Sequence, residues 1–206
     1  MSDDSEIAAF IRANLPVTPV PGVPELRMHK AGPASGVGRL GNAAPYWAYW
    51  WAGGLALARY VLDHPAWVAG RRVIDLGAGS GLVGIAAARA GAARVVASEI
   101  DTHARIAIAC NAALNAVPIA DILGDMTNGP GPDADLLLVG DVFYAPEVAA
   151  RVTLFLDRCV ASGLQVLVGD PWRAPLPVER LTLLARDAVA ETGTAKPAGV
   201  FAYRTG

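Results

Sequence analysis

From Arg72 to Ala185, short apolar runs of strand length alternate with longer helix-forming stretches, and this alternation leaves few folds open. A strand followed each time by a helix predicts a mostly parallel sheet covered by helices. Strands are expected over residues 72–76, 94–99, 119–123, 135–139 and 165–168, and helices over 82–90, 102–115, 146–160 and 178–185. Gly129-Pro130-Gly131-Pro132 marks a loop. Two further strands, 187–191 and 199–203, close the sheet as an antiparallel hairpin. Together these make an α/β, Rossmann-like sheet of seven strands.

Ahead of the alternating part, residues 7–14 form a short helix. Pro16, Pro19, Pro21 and Pro24 then enforce an extended path. Residues 32–41 read as a loop. A helix over 49–62 stops at Asp63-His64-Pro65, because proline pushes the preceding residue out of the helical region. Residues 1–45 are therefore expected as an N-terminal extension and linker, and 46–206 as the sheet domain.

At 206 residues the chain suffices for one domain with a full core, and a monomer is expected. It is 53% hydrophobic and 17% charged, and its formal charge of −2 gives no general attraction for nucleic acid or an anionic membrane. Arg59 breaks the apolar run 55–62 and Asp63-His64-Pro65 closes it, so no membrane span is expected. Cys110 and Cys159 read as small buried hydrophobes on helices, and His29, His64 and His103 lack metal-pair spacing, so neither a disulfide nor a metal is expected. The acidic start, Ser2 to Glu6, is unlike a transit or signal peptide, which makes the cytoplasm the expected compartment.

The loop leaving the first of the parallel strands reads Asp75-Leu76-Gly77-Ala78-Gly79-Ser80-Gly81. Glycines at alternate positions let backbone approach a ligand where side chains would obstruct it, and the helix that follows offers unpaired N–H groups. Gly79, Gly81 and Gly84 also fit a dinucleotide spacing. In such a site, however, the first glycine belongs at the strand end, which Gly77 occupies, and Leu82 stands where the third should be. An acidic residue two places before the first glycine instead resembles the first motif of the seven-stranded S-adenosylmethionine methyltransferases. Glu99, about 20 residues beyond the loop and at the next strand end, is then the expected acceptor for both ribose hydroxyls, with Asp101 capping the following helix. Asp125 is the candidate for the adenine amino group, with Met126 on the ring and an ordinary turn aspartate as the alternative.

Asp141-Val142-Phe143-Tyr144 follows the strand beside the glycine loop. A carboxylate at Asp141 suits an amine awaiting methylation, and Tyr144 offers it a hydroxyl or a π-face, with Phe143 and Tyr144 lining the pocket. Asp141 is also a candidate cofactor contact, as are Asp75, Gly77, Gly79 and Gly81. The alternative for Asp141 is to cap the helix beginning near Pro146. In the dense cluster Tyr46-Trp47-Ala48-Tyr49-Trp50-Trp51, Trp51 is the candidate to pack on the cofactor, with simple core packing as its rival. In Asp170-Pro171-Trp172-Arg173 a wall of the substrate entrance is expected, with Arg173 facing solvent; a loop stiffened by Pro171 is an equal alternative.

These segments resemble the electron transfer flavoprotein beta-subunit lysine methyltransferases, a branch of the family-16 seven-stranded methyltransferases. The resemblance spans most of the chain and rests on residues 45–54, 75–81 and 140–144 and on Gly169-Asp170-Pro171. Asp141 and Tyr144 match the branch's acidic-x-x-Tyr motif. Val142-Phe143 stands where methyltransferases of nucleic-acid bases or glutamine carry two prolines, and this departure favours lysine. The resemblance implies S-adenosylmethionine as methyl donor and S-adenosylhomocysteine as product. It also implies the flavoprotein beta subunit as protein substrate, and a ribosomal protein as a possible second one. Residues 30–42 are short and glycine-rich beside the family's usual linker. Similar chains are often labelled nicotinamide N-methyltransferases, so a small-molecule N-methyltransferase is the nearest rival. An NAD(P)-dependent oxidoreductase and a non-catalytic cofactor-binding scaffold stand further off.

Overall fold

The computed structural model describes residues 3–41, 44–190 and 195–205. Seven strands form one sheet: β3 (Arg72–Leu76), β4 (Arg94–Ser98), β5 (Asp121–Leu123), β6 (Leu136–Gly140), β7 (Gln165–Asp170), β8 (Leu181–Ala190) and β9 (Ala195–Tyr203). Their spatial order is β5-β4-β3-β6-β7-β9-β8. The first five run parallel, β9 lies antiparallel to β7, and β8 pairs antiparallel with β9. After β3 the chain moves outward to β4 and β5, then returns to the other side of β3 as β6. The order therefore reverses between β3 and β6, and a crevice opens beyond the carboxyl ends of these two strands.

The parallel strands are apolar on both faces because both are covered. Val73, Leu136 and Leu138 join the core under α2 (Ala52–Asp63) and α3 (Leu82–Arg89); Ile74, Leu137 and Val139 join the core under α5 (Pro146–Ala161). The third crossover helix, α4 (Thr102–Leu114), begins at Asp101, whose carboxylate accepts from the His103 and Ala104 N–H groups as a helix cap.

The N-terminal segment is more built than a linker. It forms α1 (Asp3–Asn14) and an antiparallel hairpin, β1 (Val17–Val20) and β2 (Val23–His29). Ile7, Ile11 and Leu15 pack with Ala104, Ala107 and Cys110 of α4. Two asparagines one turn apart, Asn111 on α4 and Asn115 at its C-terminal cap, complete the docking. The Asn115 side chain accepts from the Arg27 N–H at 3.0 Å and donates to the Arg27 carbonyl at 2.7 Å, as a neighbouring strand would. Asn111 accepts from the His29 N–H and donates to the Ser80 carbonyl, each at 2.9 Å, which ties the hairpin to the glycine loop. An amide supplies donor and acceptor together, which this bridging requires.

One predicted helix is absent. Residues 178–185 form a single 3-10 turn, Val178–Arg180, followed by β8. The leucine-rich segment has helix propensity, but pairing with β9 from Leu181↔Tyr203 to Ala190↔Ala195, broken only by a bulge at Leu184, engages one edge of its backbone, and tertiary pairing wins. The separate strand expected over 187–191 is the end of this longer one. Its last residue, Glu191, lies outside the described residues, as does Asn42 at the end of segment 30–42.

Candidate active site

The glycine loop begins directly after β3. The N–H groups of Gly77 and Ala78 both donate to the Ser98 carbonyl, at 2.9 and 3.1 Å, folding the loop back onto the end of β4. Gly77, Gly79 and Gly81 all have positive φ, the conformation that glycine adopts without a Cβ penalty. A Cβ on Gly77 would lie 2.6 Å from Val142, so this glycine lets β6's outgoing chain pass close by. A Cβ on Gly79 would meet only the Trp47 Cα at 4.0 Å, so that position faces open space and leaves room for a ligand.

Glu99 stands beside this opening and is buried. Its Oε2 accepts from the Gly79 N–H at 2.7 Å and its Oε1 from the Asp101 N–H at 3.0 Å. A carboxylate has about four acceptor positions. Each oxygen of Glu99 therefore keeps one, which matches a vicinal diol. Asp75 lies elsewhere. It is buried between β3 and α3, its Oδ2 accepts from the Gly84 N–H at 2.7 Å, and burial pushes its carboxyl up to about 7. Asp75 thus holds α3 in place behind the loop.

Asp125 is engaged in a local turn: its Oδ1 accepts from the Thr127 N–H at 2.9 Å and from the Thr127 hydroxyl at 2.6 Å, which, despite some desolvation, holds its carboxyl below the usual range. Arg151 lies 3.5 Å from its other oxygen. Met126 packs on the core under α5. Trp51 is partly exposed at the start of α2, where its indole N–H donates to the Tyr46 carbonyl at 3.0 Å, while Trp50 is buried in the core.

Asp141 is placed by contacts its sequence neighbourhood does not announce. It has a φ of 59°, rare for a residue with a side chain, and its carboxylate turns toward the first turn of α2 rather than to the helix from Pro146. Oδ1 accepts from the Gly53 N–H at 3.1 Å and Oδ2 accepts from the Gly54 N–H. This is possible because α2 lies backbone against backbone on the sheet: a Cβ on Gly53 would sit 2.2 Å from the Gly169 carbonyl oxygen, and one on Gly140 would sit 3.2 Å from the Gly54 Cα. Burial raises the Asp141 carboxyl, opposed by the Arg173 guanidinium and the two helix N–H groups. Arg173 does not face solvent as expected. Its Nη1 donates to Asp141 Oδ1 at 2.6 Å and to Asp170 Oδ2 at 3.0 Å, because the turn after β7 carries it back over the strand ends.

Tyr144 is 60% exposed at the rim, whereas Phe143 is fully buried under α5 and lines no pocket. Val142 and Phe143 both turn inward as the chain leaves β6, and Tyr144 is the first of the segment to stand exposed. A cavity of about 260 Å³ lies beyond Glu99 at the start of α4, walled by Val37, Leu40, Trp47 and the segment Ile100 to His103. Among the described residues, no group of three or more His, Cys, Asp or Glu side chains is arranged to hold a metal ion, and no helix is long and apolar enough to cross a membrane.

With this geometry, the human electron transfer flavoprotein beta subunit lysine methyltransferase is 36% identical over 178 residues, covering 82% of this chain and 68% of that protein. The chain belongs to the electron transfer flavoprotein beta subunit lysine methyltransferase family. The zebrafish member is 46% identical over 132 residues, 63% of this chain, and the chain spans about half the length of that relative, 51%. Residues 60–137 also match the ribosomal protein L11 methyltransferase family (PrmA). Among solved structures, a candidate RNA methyltransferase from Pyrococcus horikoshii superposes with a TM-score of 0.60 at 13% identity, over 100% of this chain and 97% of that one. A Pyrococcus abyssi tRNA (uracil-54, C5)-methyltransferase in complex with S-adenosyl-L-homocysteine gives 0.51 at 16% identity, over 72% and 38%. At such identities the two structures speak for the fold, and the lysine methyltransferase family adds the chain's membership.

Proposed function

We propose that this chain is a protein-lysine N-methyltransferase that uses S-adenosylmethionine, with the electron transfer flavoprotein beta subunit as substrate and the cytoplasm as its compartment. The residues fit that cofactor: open space at Gly79 admits a ligand against the loop, and Glu99 keeps two acceptor positions for the ribose diol. Gly77, Gly79 and Gly81 hold the loop shape; Trp51 and Asp141 border the site, and Asp125 and Asp75 support it from its turn and from beneath α3. When bound, the cofactor supplies an electrophilic methyl on a sulfonium.

The observation that carries the reading is the Asp141 carboxylate. It accepts from Gly53, Gly54 and Arg173, three bonds of about four, so one acceptor position remains on Oδ2. A lysine amine has N–H groups to donate there, and the carboxylate orients the nitrogen while leaving its lone pair free for attack. The buried surroundings of Asp141 favour the neutral amine, whose proton leaves to water as the side chain enters. Tyr144 at the rim offers its ring or hydroxyl to the entering side chain. The nicotinamide ring nitrogen, by contrast, has no N–H for a carboxylate to accept, which favours lysine over that rival.

Intact-mass analysis tests the proposal. Purified unmethylated electron transfer flavoprotein, and separately nicotinamide, are incubated with the protein and S-adenosylmethionine. Steps of about 14 mass units on beta-subunit lysines are expected, one per methyl group. Methylated nicotinamide with an unmodified flavoprotein contradicts the reading.

A further inference from the structure

Asp170, Arg173 and Asp141 form one charge cluster at the carboxyl ends of β6 and β7. Asp170 is fully buried, and both its oxygens are turned to Arg173: Oδ1 accepts from the Arg173 backbone N–H at 2.7 Å and Oδ2 from Nη1 at 3.0 Å. A carboxylate without solvent contact that bonds one residue twice serves to fix that residue. Arg173 in turn bonds Asp141 at 2.6 Å, and the Asp141 side chain keeps 10% of its surface exposed. Trp172, between them in sequence, has a φ of 60° and packs edge-on against Phe201 at 5.4 Å, which holds the turn in this unusual conformation. One guanidinium between two carboxylates leaves the cluster one positive charge short. The other groups facing Asp141 are the Gly53 and Gly54 N–H groups of α2, which bear only partial charge.

We propose that Arg173 is a positioning residue for methyl transfer: anchored by Asp170, it holds the Asp141 carboxylate against α2 with one acceptor position left for a primary amine. The inference rests on the reading of Asp141 as the amine-binding group. It assigns to Asp170-Pro171-Trp172-Arg173 the task of building the amine site from behind.

Arg173→Gln and Arg173→Met remove the charge, and Arg173→Lys keeps it. Two readouts are taken on each: the titration midpoint of the Asp141 carboxyl by carbon NMR, and the pH dependence of kcat/KM for the flavoprotein. The uncharged variants are expected to raise the midpoint by about one pH unit or more, since an adjacent cation lowers a carboxyl by that order. The point at which the kcat/KM profile steepens toward acid moves up with it, while Arg173→Lys stays near wild type in both. A purely structural role lowers kcat/KM evenly at every pH. Equal Asp141 midpoints in wild type and in the uncharged variants overturn the proposal. If the wild-type protein methylates no lysine, the functional reading fails, yet the NMR titration still decides the role of Arg173. The methionine variant fills similar space and serves should the glutamine variant not fold.

Discussion

Carboxylates in this chain differ in task according to how many acceptor positions the fold leaves them. Glu99 keeps two, beside open space at Gly79, and the role proposed for it is recognition of the ribose. Glu99→Ala is therefore expected to weaken S-adenosylmethionine binding about tenfold or more, since hydrogen bonds to a charged acceptor contribute about 1.5–3 kcal/mol each. Calorimetry checks this, and an unaltered dissociation constant refutes the ribose role. Asp75 is enclosed and titrates near 7. Its folded value lies above the ordinary 3.8, so the folded state binds the extra proton, and stability is highest below about pH 4 and falls as pH rises through about 7. Asp75→Asn is expected to flatten that decline in chemical denaturation measured from pH 4 to 8. A decline as steep as in wild type would show that another group is responsible. Glu99 and the glycine loop were legible in the sequence because their partners are local: a strand end, a turn, a helix start. Arg173 was misread because its partner Asp141 is 32 positions away and meets it only when β6 and β7 lie side by side.

At the scale of elements, the approach of α2 to the sheet decides the site. Gly53 and Gly54 read in the sequence as part of the helix over 49–62, but their contact with Asp141, 88 and 87 positions away, was not readable there. Only the strand order brings them together. Gly53→Ala places a Cβ 2.2 Å from the Gly169 carbonyl oxygen, where backbone on both sides must move. It is expected to cost about 3 kcal/mol in denaturant unfolding and to lower activity by displacing the helix start that Asp141 bonds. Stability within the error of wild type would mean that α2 stands further off. The strands and crossover helices from β3 to β7 were legible because periodicity and loop chemistry agree there. β8 was not, since its leucines and alanines suit a helix as well and only pairing with β9 selects the strand. Asn111 and Asn115 passed unnoticed; two asparagines one turn apart at the end of the apolar stretch from Ile106 are the signal that finds them.

At the scale of the whole molecule, the sheet's reversal between β3 and β6 brings the glycine loop and the Asp141 cluster to one crevice, while the N-terminal hairpin braces the loop through Asn111 and Ser80. The two halves of the crevice are built by separate contacts: the half proposed for the cofactor by Gly77, Gly79, Gly81 and Glu99, the half proposed for the amine by Asp141 with α2 and the turn after β7. The central claim is that Asp141 holds the amine while the cofactor is held mainly elsewhere. Asp141→Ala, assayed in parallel for S-adenosylmethionine affinity by calorimetry and for methylation of the flavoprotein beta subunit by intact mass, tests it most directly. Cofactor binding also reports that the variant is folded. The account predicts a largely unchanged cofactor affinity with methyl transfer lost; methylation at the wild-type rate would contradict it and remove Asp141 from the mechanism.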